Sequence, residues 1–183
     1  ARVQRIDAHP FDTAAAHALN FCALRYFNVA GADPQARSGQ STAGATHLIK
    51  VACEHVVGKR DAVSIFGTDY DTPDGTGVRD YIHVEDLADA HLKALDYLRA
   101  CGAPTTLNCG YGRGFSVREV LAMVEKVAGR RLVVREELRR AGDPPQLVAQ
   151  AERIRRALGW APRHQDLEGI VRTALGWERR LAG

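Results

Sequence analysis

The chain has 183 residues, 45% hydrophobic and 26% charged, with a formal net charge of +3. That length and apolar content suit one domain with its own core, and no apolar run is long enough to span a bilayer. Lys and Arg fall in scattered pairs such as Arg130-Arg131, Arg155-Arg156 and Arg179-Arg180, which argues against a nucleic-acid stripe and for a solvated surface.

No signal peptide is visible, so a soluble, cytoplasmic protein without a membrane partner is expected. The chain starts at Ala1 rather than Met, which suggests processing, trimming or a fragment. Cys22, Cys53, Cys101 and Cys109 form no CxxC pair and have no His at ligand spacing, so neither a metal site nor a disulfide framework is expected.

Residues 1–12 mix Arg, Asp, His and Pro without a pattern, and residues 13–19 could end a helix. Residues 20–29 are mostly apolar without alternation, as in a parallel strand buried on both faces. The run stops at Ala30-Gly-Ala-Asp-Pro34. Ligands of open α/β sheets bind at the carboxyl ends of parallel strands, which places Phe27 and Asn28 where a ligand would lie. The alternative for Asn28 is a turn cap.

A helix is predicted over residues 46–58 and a short strand over 62–67, followed by a loop rich in Asp, Pro and Gly. Asp74-Gly-Thr-Gly-Val-Arg-Asp-Tyr-Ile-His-Val-Glu-Asp-Leu-Ala-Asp-Ala-His91 then runs from a glycine turn through an apolar stretch into a helix near Glu85-Asp86. Arg79 is placed to grip an anion with its planar fork. The alternative is a surface pair with Asp80 or Asp86. That helix should reach Ala100 with Leu87, Ala88, His91, Leu95 and Leu98 on its apolar face, His91 being a packed or edge residue.

A strand over 105–109 leads to Gly110-Tyr-Gly-Arg-Gly114, and Ser116-x-x-Glu119 is a capping box opening a helix with Val117, Val120, Leu121, Val124 and Val127 on one face. The turn is not a dinucleotide fingerprint, because its spacing is not G-x-G-x-x-G. A strand over 131–136, a basic-acidic loop over 139–145, a helix over 151–158 ended by Gly159 and Pro162, and a final helix over 166–181 complete the chain. Only the 21–29 strand reads as central. The fold class expected is α/β, the C-terminal edge of a Rossmann-like parallel sheet plus a small α/β substrate-binding lobe.

Several of these segments resemble UDP-glucose 4-epimerases of the extended short-chain dehydrogenase/reductase class. They are Leu24-Arg-Tyr-Phe-Asn-Val-Ala-Gly-Ala-Asp-Pro34, Ile65-Phe-Gly-Thr-Asp-Tyr70, the 74–91 motif, Leu107 to Val120, Arg139-Arg-Ala-Gly-Asp-Pro-Pro145 and Leu158-Gly-Trp160. The resemblance covers residues 13–181 in order. It implies C4 epimerisation of UDP-glucose and UDP-galactose through a 4-keto sugar, with bound NAD as hydride carrier, in a homodimer when intact. It also implies that residues 13–183 are the UDP-sugar-binding C-terminal region, that residues 1–12 are atypical, and that the Gly-rich NAD turn and the catalytic Tyr-x-x-x-Lys are absent. No catalytic residue is therefore assigned, and most of the NAD site is expected outside this chain.

Carried over by resemblance, Asn28, His47 and Leu48 face the diphosphate, and His47 stands where many relatives have Asn. Ser64, Ile65 and Phe66 cradle uracil, Arg79 and Arg140 clamp the diphosphate, and Asp143 holds the ribose hydroxyls. Phe27 lies beside the nicotinamide. Leu147 stands at a position that is Tyr or smaller in relatives, which implies room for N-acetylated sugars. Gln150 replaces a usual Asp and weakens the next helix cap. A non-catalytic UDP-sugar-binding remnant is the alternative, and a dTDP-glucose dehydratase a more distant one, disfavoured by the wording of the 74–91 motif. Either way, apolar surface around the 21–29 strand is expected to be exposed.

Overall fold

A computed structural model describes residues 12–17 and 19–183. The atypical segment predicted at 1–12 therefore lies outside the described residues except for Asp12. Residues 12–17 are helical (α1). The remaining elements are β1 (Cys22–Tyr26), β2 (Asn28–Ala30), α2 (Leu48–Val56), β3 (Val63–Phe66), β4 (Val78–His83), α3 (Val84–Arg99), β5 (Thr105–Cys109), β6 (Gly114–Ser116), α4 (Val117–Ala128), β7 (Val134–Glu137), β8 (Gln146–Leu147), α5 (Glu152–Leu158) and α6 (Leu167–Ala182). The fold is mixed α/β with parallel pairings, as expected.

The single strand expected over 20–29 is two strands. β1 pairs in parallel with β5, ending at Tyr26 opposite Cys109, and β2 pairs in parallel with β4, starting at Asn28 opposite Tyr81. The chain changes sheet at Phe27. An apolar run records that a strand is covered but not which strand it pairs with. Nor is β1 buried on both faces, since Tyr26 is 53% exposed. The most connected strand is β4, which pairs with β2, β6 and β8. β3 pairs in parallel with β7, which begins at Val134, later than the predicted start at 131.

The core joins the sheets to α2, α4 and α6 through Ile49, Ala52, Ile65, Ile82, Val120, Val124, Ile170 and Leu175. Trp160 is buried behind α3 and donates its indole N–H to Asp86 O at 3.1 Å. The predicted capping box is present on α4: Ser116 Oγ accepts from Glu119 N, and Glu119 Oε2 accepts from Ser116 N. α5 has Ala151, not Gln150, as its N-cap, and it has no side-chain cap.

The apolar face of α3 is rotated from the predicted one. Leu87, Ala90 and Ala94 are buried, whereas Leu92 and Leu95 are 63% and 44% exposed and Ala88 faces out. His91 is an edge residue: its Nδ1 bonds Leu87 O at 2.8 Å, and its ring lies 6.3 Å from that of Tyr26. Tyr26 of β1 and Leu92 and Leu95 of α3 are thus among the exposed large apolar residues. Among the described residues no helix is long and apolar enough to cross a membrane, and all four cysteines are free. Burial pushes the Cys53 and Cys109 thiols up to about 12, so they pack as small hydrophobes.

Candidate functional site

A cavity of about 540 Å³ opens between the start of α2, β3, β4 and the loop before β8. Eight residues expected at the site line it: Asn28, His47, Leu48, Ser64, Phe66, Arg79, Arg140 and Asp143. They come from positions 28 to 143, and the fold alone brings them together.

Three expected residues do not line this cavity. Ile65 is 2% exposed and points into the core, because strand alternation sends Ser64 and Phe66 to one face and Ile65 to the other. Leu147 is 44% exposed on β8, directly opposite Arg79 in the β4–β8 register. Phe27 sits at the β1–β2 break and packs against the core.

Arg79 is held in the wall with its side chain 15% exposed, and its Nη2 lies 4.0 Å from Asp143 Oδ1. Its Nη1 donates to Val78 O at 2.9 Å and to Pro145 O at 3.4 Å. Neither Asp80 nor Asp86 pairs with it, which removes the surface-pair alternative. Buried Asp80 accepts from Tyr111 N (3.1 Å), Gly112 N (2.9 Å) and Ala149 N (3.2 Å). Buried Asp86 accepts from Tyr111 Oη (2.6 Å), Arg163 N and His164 N (both 2.8 Å). Both carboxylates are satisfied internally.

Arg140 stacks with its guanidinium carbon 3.7 Å from the Phe66 ring centroid, and Arg139 lies 4.4 Å from that of Tyr70. Such stacking fixes a planar cation without consuming its in-plane donors. The Arg139 guanidinium also holds the Asp69 carboxyl below the usual carboxylate range.

His47 is the N-cap of α2, yet its side chain does not cap the helix and the first turn contains no acidic residue. The N–H groups of that turn and the positive end of the helix dipole stay available to an anion. Two arginines and a helix start on one cavity make an anion site.

Sequence reasoning missed Arg60, Tyr70 and Tyr81, which also line the cavity. Arg60 bonds Glu54 and donates to Ala45 O at 3.0 Å. Its only sequence signal was a basic pair, Lys59-Arg60. Tyr81 is 2% exposed. Burial pushes its hydroxyl up, and a hydrogen bond with the Asn28 side chain acts in the opposite sense.

The glycine turn at 110–114 does not fit a dinucleotide. Its main-chain N–H groups at Tyr111 and Gly112 point at the Asp80 carboxylate, and a Cβ on Gly110 would lie 2.8 Å from Asp80 Oδ2. The position a pyrophosphate would need is filled by the protein's own anion.

His83, Glu85 and His164 could in principle hold a metal. Their geometry argues otherwise. The two rings are stacked, with centroids 4.5 Å apart and planes at 24°, so their in-plane lone pairs do not converge. His83 Nδ1 accepts from Glu85 N at 3.2 Å, and its Nε2 faces Thr173 Oγ1 at 3.0 Å. Both nitrogens are in use.

Residues 10–110 match the NAD dependent epimerase/dehydratase family. The chain is 62% identical over 170 residues to the UDP-glucose 4-epimerase of Azospirillum brasilense, covering 93% of this chain and 49% of that protein. Among solved structures, it is similar to UDP-glucose 4-epimerase from Brucella ovis in complex with NAD (41% identity, TM-score 0.89, 97% of this chain and 55% of that one). It is also similar to UDP-glucose 4-epimerase from Bifidobacterium longum in complex with NAD+ and UDP (34% identity, TM-score 0.89, 95% and 52%). The chain spans about half the length of the curated relatives it matches.

Proposed function

The chain belongs to the NAD dependent epimerase/dehydratase family, and on that premise we propose that its cavity binds the nucleoside diphosphate part of a UDP-sugar. The observation that carries this reading is the convergence of Arg79, Arg140 and the start of α2 on a single cavity. A diphosphate offers oxygens for both guanidinium forks and for the first-turn N–H groups of the helix.

In this reading Arg79 and Arg140 clamp the diphosphate, assisted by Asn28, His47 and the main chain at Leu48. Phe66 offers a flat apolar wall to uracil, with Ser64 at its edge and Ile65 contributing through its main chain. The Asp143 carboxylate accepts from the ribose hydroxyls. Leu147, exposed beside Arg79, borders the sugar and leaves room for an N-acetyl group. Residues 13–183 act as the substrate-binding region in the interconversion of UDP-glucose and UDP-galactose.

The family is NAD-dependent, and NAD when bound supplies reversible hydride transfer to and from the sugar. This chain's residues bind and orient the nucleotide. A second reading, in which this chain binds UDP-sugars without turning them over, rests on the cavity's lining, whose arginines and carboxylate are suited to holding a nucleotide.

Calorimetric and thermal titrations with UDP and with NAD, each alone, test the binding reading. UDP at a hundredfold excess over Kd should stabilise the fold by ~2.7 kcal/mol, with no response to NAD. Absence of a UDP response overturns it. Mixing UDP-galactose with the chain and NAD, and following UDP-glucose, separates the two readings.

A further inference from the structure

The loop before α2 carries a device that acts on His47. Gln40 Nε2 lies 3.1 Å from His47 Nδ1. With the Gln40 amide nitrogen, which has only donors, facing the ring, Nδ1 accepts, and a neutral imidazole in this arrangement carries its proton on Nε2.

Gln40 is itself anchored from the far side. The Trp177 indole N–H of α6 donates to Gln40 O at 3.1 Å. Gly39 lies flat on that indole: a Cβ there would sit 2.5 Å from Trp177 Cγ. Any side chain at 39 would lift the loop and withdraw Gln40. The fixed imidazole belongs to the N-cap residue of α2, does not cap the helix, and lines the cavity that holds Asn28 and Arg79.

We propose that Gln40 is a positioning residue that locks His47 as an Nε2–H donor facing an anionic ligand in the cavity. The proposal rests on the UDP reading for the identity of that ligand, but not for the tautomer. With Nδ1 engaged, the donor presented to a phosphate oxygen is Nε2–H. The opposite tautomer would turn a lone pair toward a negative oxygen and repel it. Trp177, Gly39, Gln40 and His47 thus link α6 to the ligand's charge.

Long-range proton–nitrogen correlation spectra of the ligand-free chain read which ring nitrogen of His47 bears the proton. The expected result is Nε2 in the wild type, with that signal shifting when UDP is added. Gln40→Glu, whose carboxylate only accepts, should move the proton of the neutral ring to Nδ1 in spectra recorded at alkaline pH. Gln40→Leu should give a mixture of tautomers. Both should weaken UDP roughly three- to tenfold by calorimetry, the effect of one hydrogen bond, while thermal unfolding shows the variants folded. A His47→Ala background controls for the charge added by Gln40→Glu, because there the variant should act through charge alone. A proton on Nδ1 in the ligand-free wild type overturns the proposal, as does unchanged UDP affinity in both variants. If the Nε2 tautomer of the wild type shifts in the Gln40 variants but UDP does not bind, the reading of the ligand fails and Gln40's control of the ring stands, whereas an Nε2 tautomer unchanged in both variants overturns that control.

Discussion

Arg79 illustrates how a residue's role follows from its neighbours' commitments. The sequence placed two carboxylates within reach, at 80 and 86, and the structure turns both inward onto main-chain N–H groups. What remains near Arg79 is Asp143 at 4.0 Å and an open cavity. Arg79→Ala should therefore weaken UDP by roughly tenfold to a hundredfold, the range of a charge-assisted hydrogen bond, with little change in thermal stability. Calorimetry beside a melting curve checks both halves. Arg140→Lys keeps the charge but loses the stacked fork over Phe66, and it should weaken UDP nearly as much.

His83 gives a prediction of another kind. Burial, with His164 beside it, pushes its imidazole down to about 4. The unfolded chain's histidine takes up a proton near 6.5, whereas the folded one stays neutral until about 4. The unfolded state binds more protons in that window, so stability is highest above it and falls as pH drops through it, by up to ~3 kcal/mol. Urea midpoints at pH 7 and about pH 4.5 should show the loss, and His83→Asn, which retains an N-cap acceptor, should reduce it. Nothing in the sequence around His83 signalled this, because the burial arises from Gly31 and Thr173, far away along the chain.

Among elements, those set by local rules were legible. The α4 capping box and its apolar face were read directly from Ser116, Glu119 and the helical period. Ser116 does more than cap: its hydroxyl also bonds Asp74. Burial opposes the Asp74 charge, but bonds from Ser116 and Thr76 outweigh it and hold the carboxyl below its usual range. Ser116→Ala should thus cost at least the ~1 kcal/mol of an ordinary cap, measurable by urea unfolding. Elements defined by partners were not legible. The split at Phe27 depends on β5 and β4, both far along the chain. The rotated face of α3 is covered by Trp160, which bonds Asp86 O from far along the chain and which no helical periodicity contains.

Across the whole molecule, a buried ionic cluster ties α2 to α6. Lys50 bonds Glu178 and lies 3.4 Å from Glu54, Lys59 lies 3.4 Å from Glu178, and Arg60 bonds Glu54. Glu178 is 1% exposed and Lys50 8%. Glu178→Leu leaves buried Lys50 with Glu54 as its remaining carboxylate, which Arg60 shares, and should cost up to ~3 kcal/mol. The double variant Lys50→Met/Glu178→Leu should recover much of that loss. Chemical denaturation of the three proteins decides it. No spacing rule relates positions 50 and 178. Local rules marked Asn28 and Arg79 singly as ligand positions, but their meeting with Asp143 in one cavity was legible only through family resemblance, since the three share no local pattern.

The Asp80 carboxylate, gripped by main-chain N–H groups from the β5–β6 turn and from Ala149 beyond β8, has a consequence for folding cooperativity. It is a removable rivet. Asp80→Ala would leave three inward donors around a hole the size of a small anion, and β4, the glycine turn and the strand after the basic loop would open independently. Amide exchange at Tyr111, Gly112 and Ala149 should then accelerate together. Formate, small enough to enter the hole, should slow it again in a concentration-dependent way, whereas bulkier anions of the same charge should not.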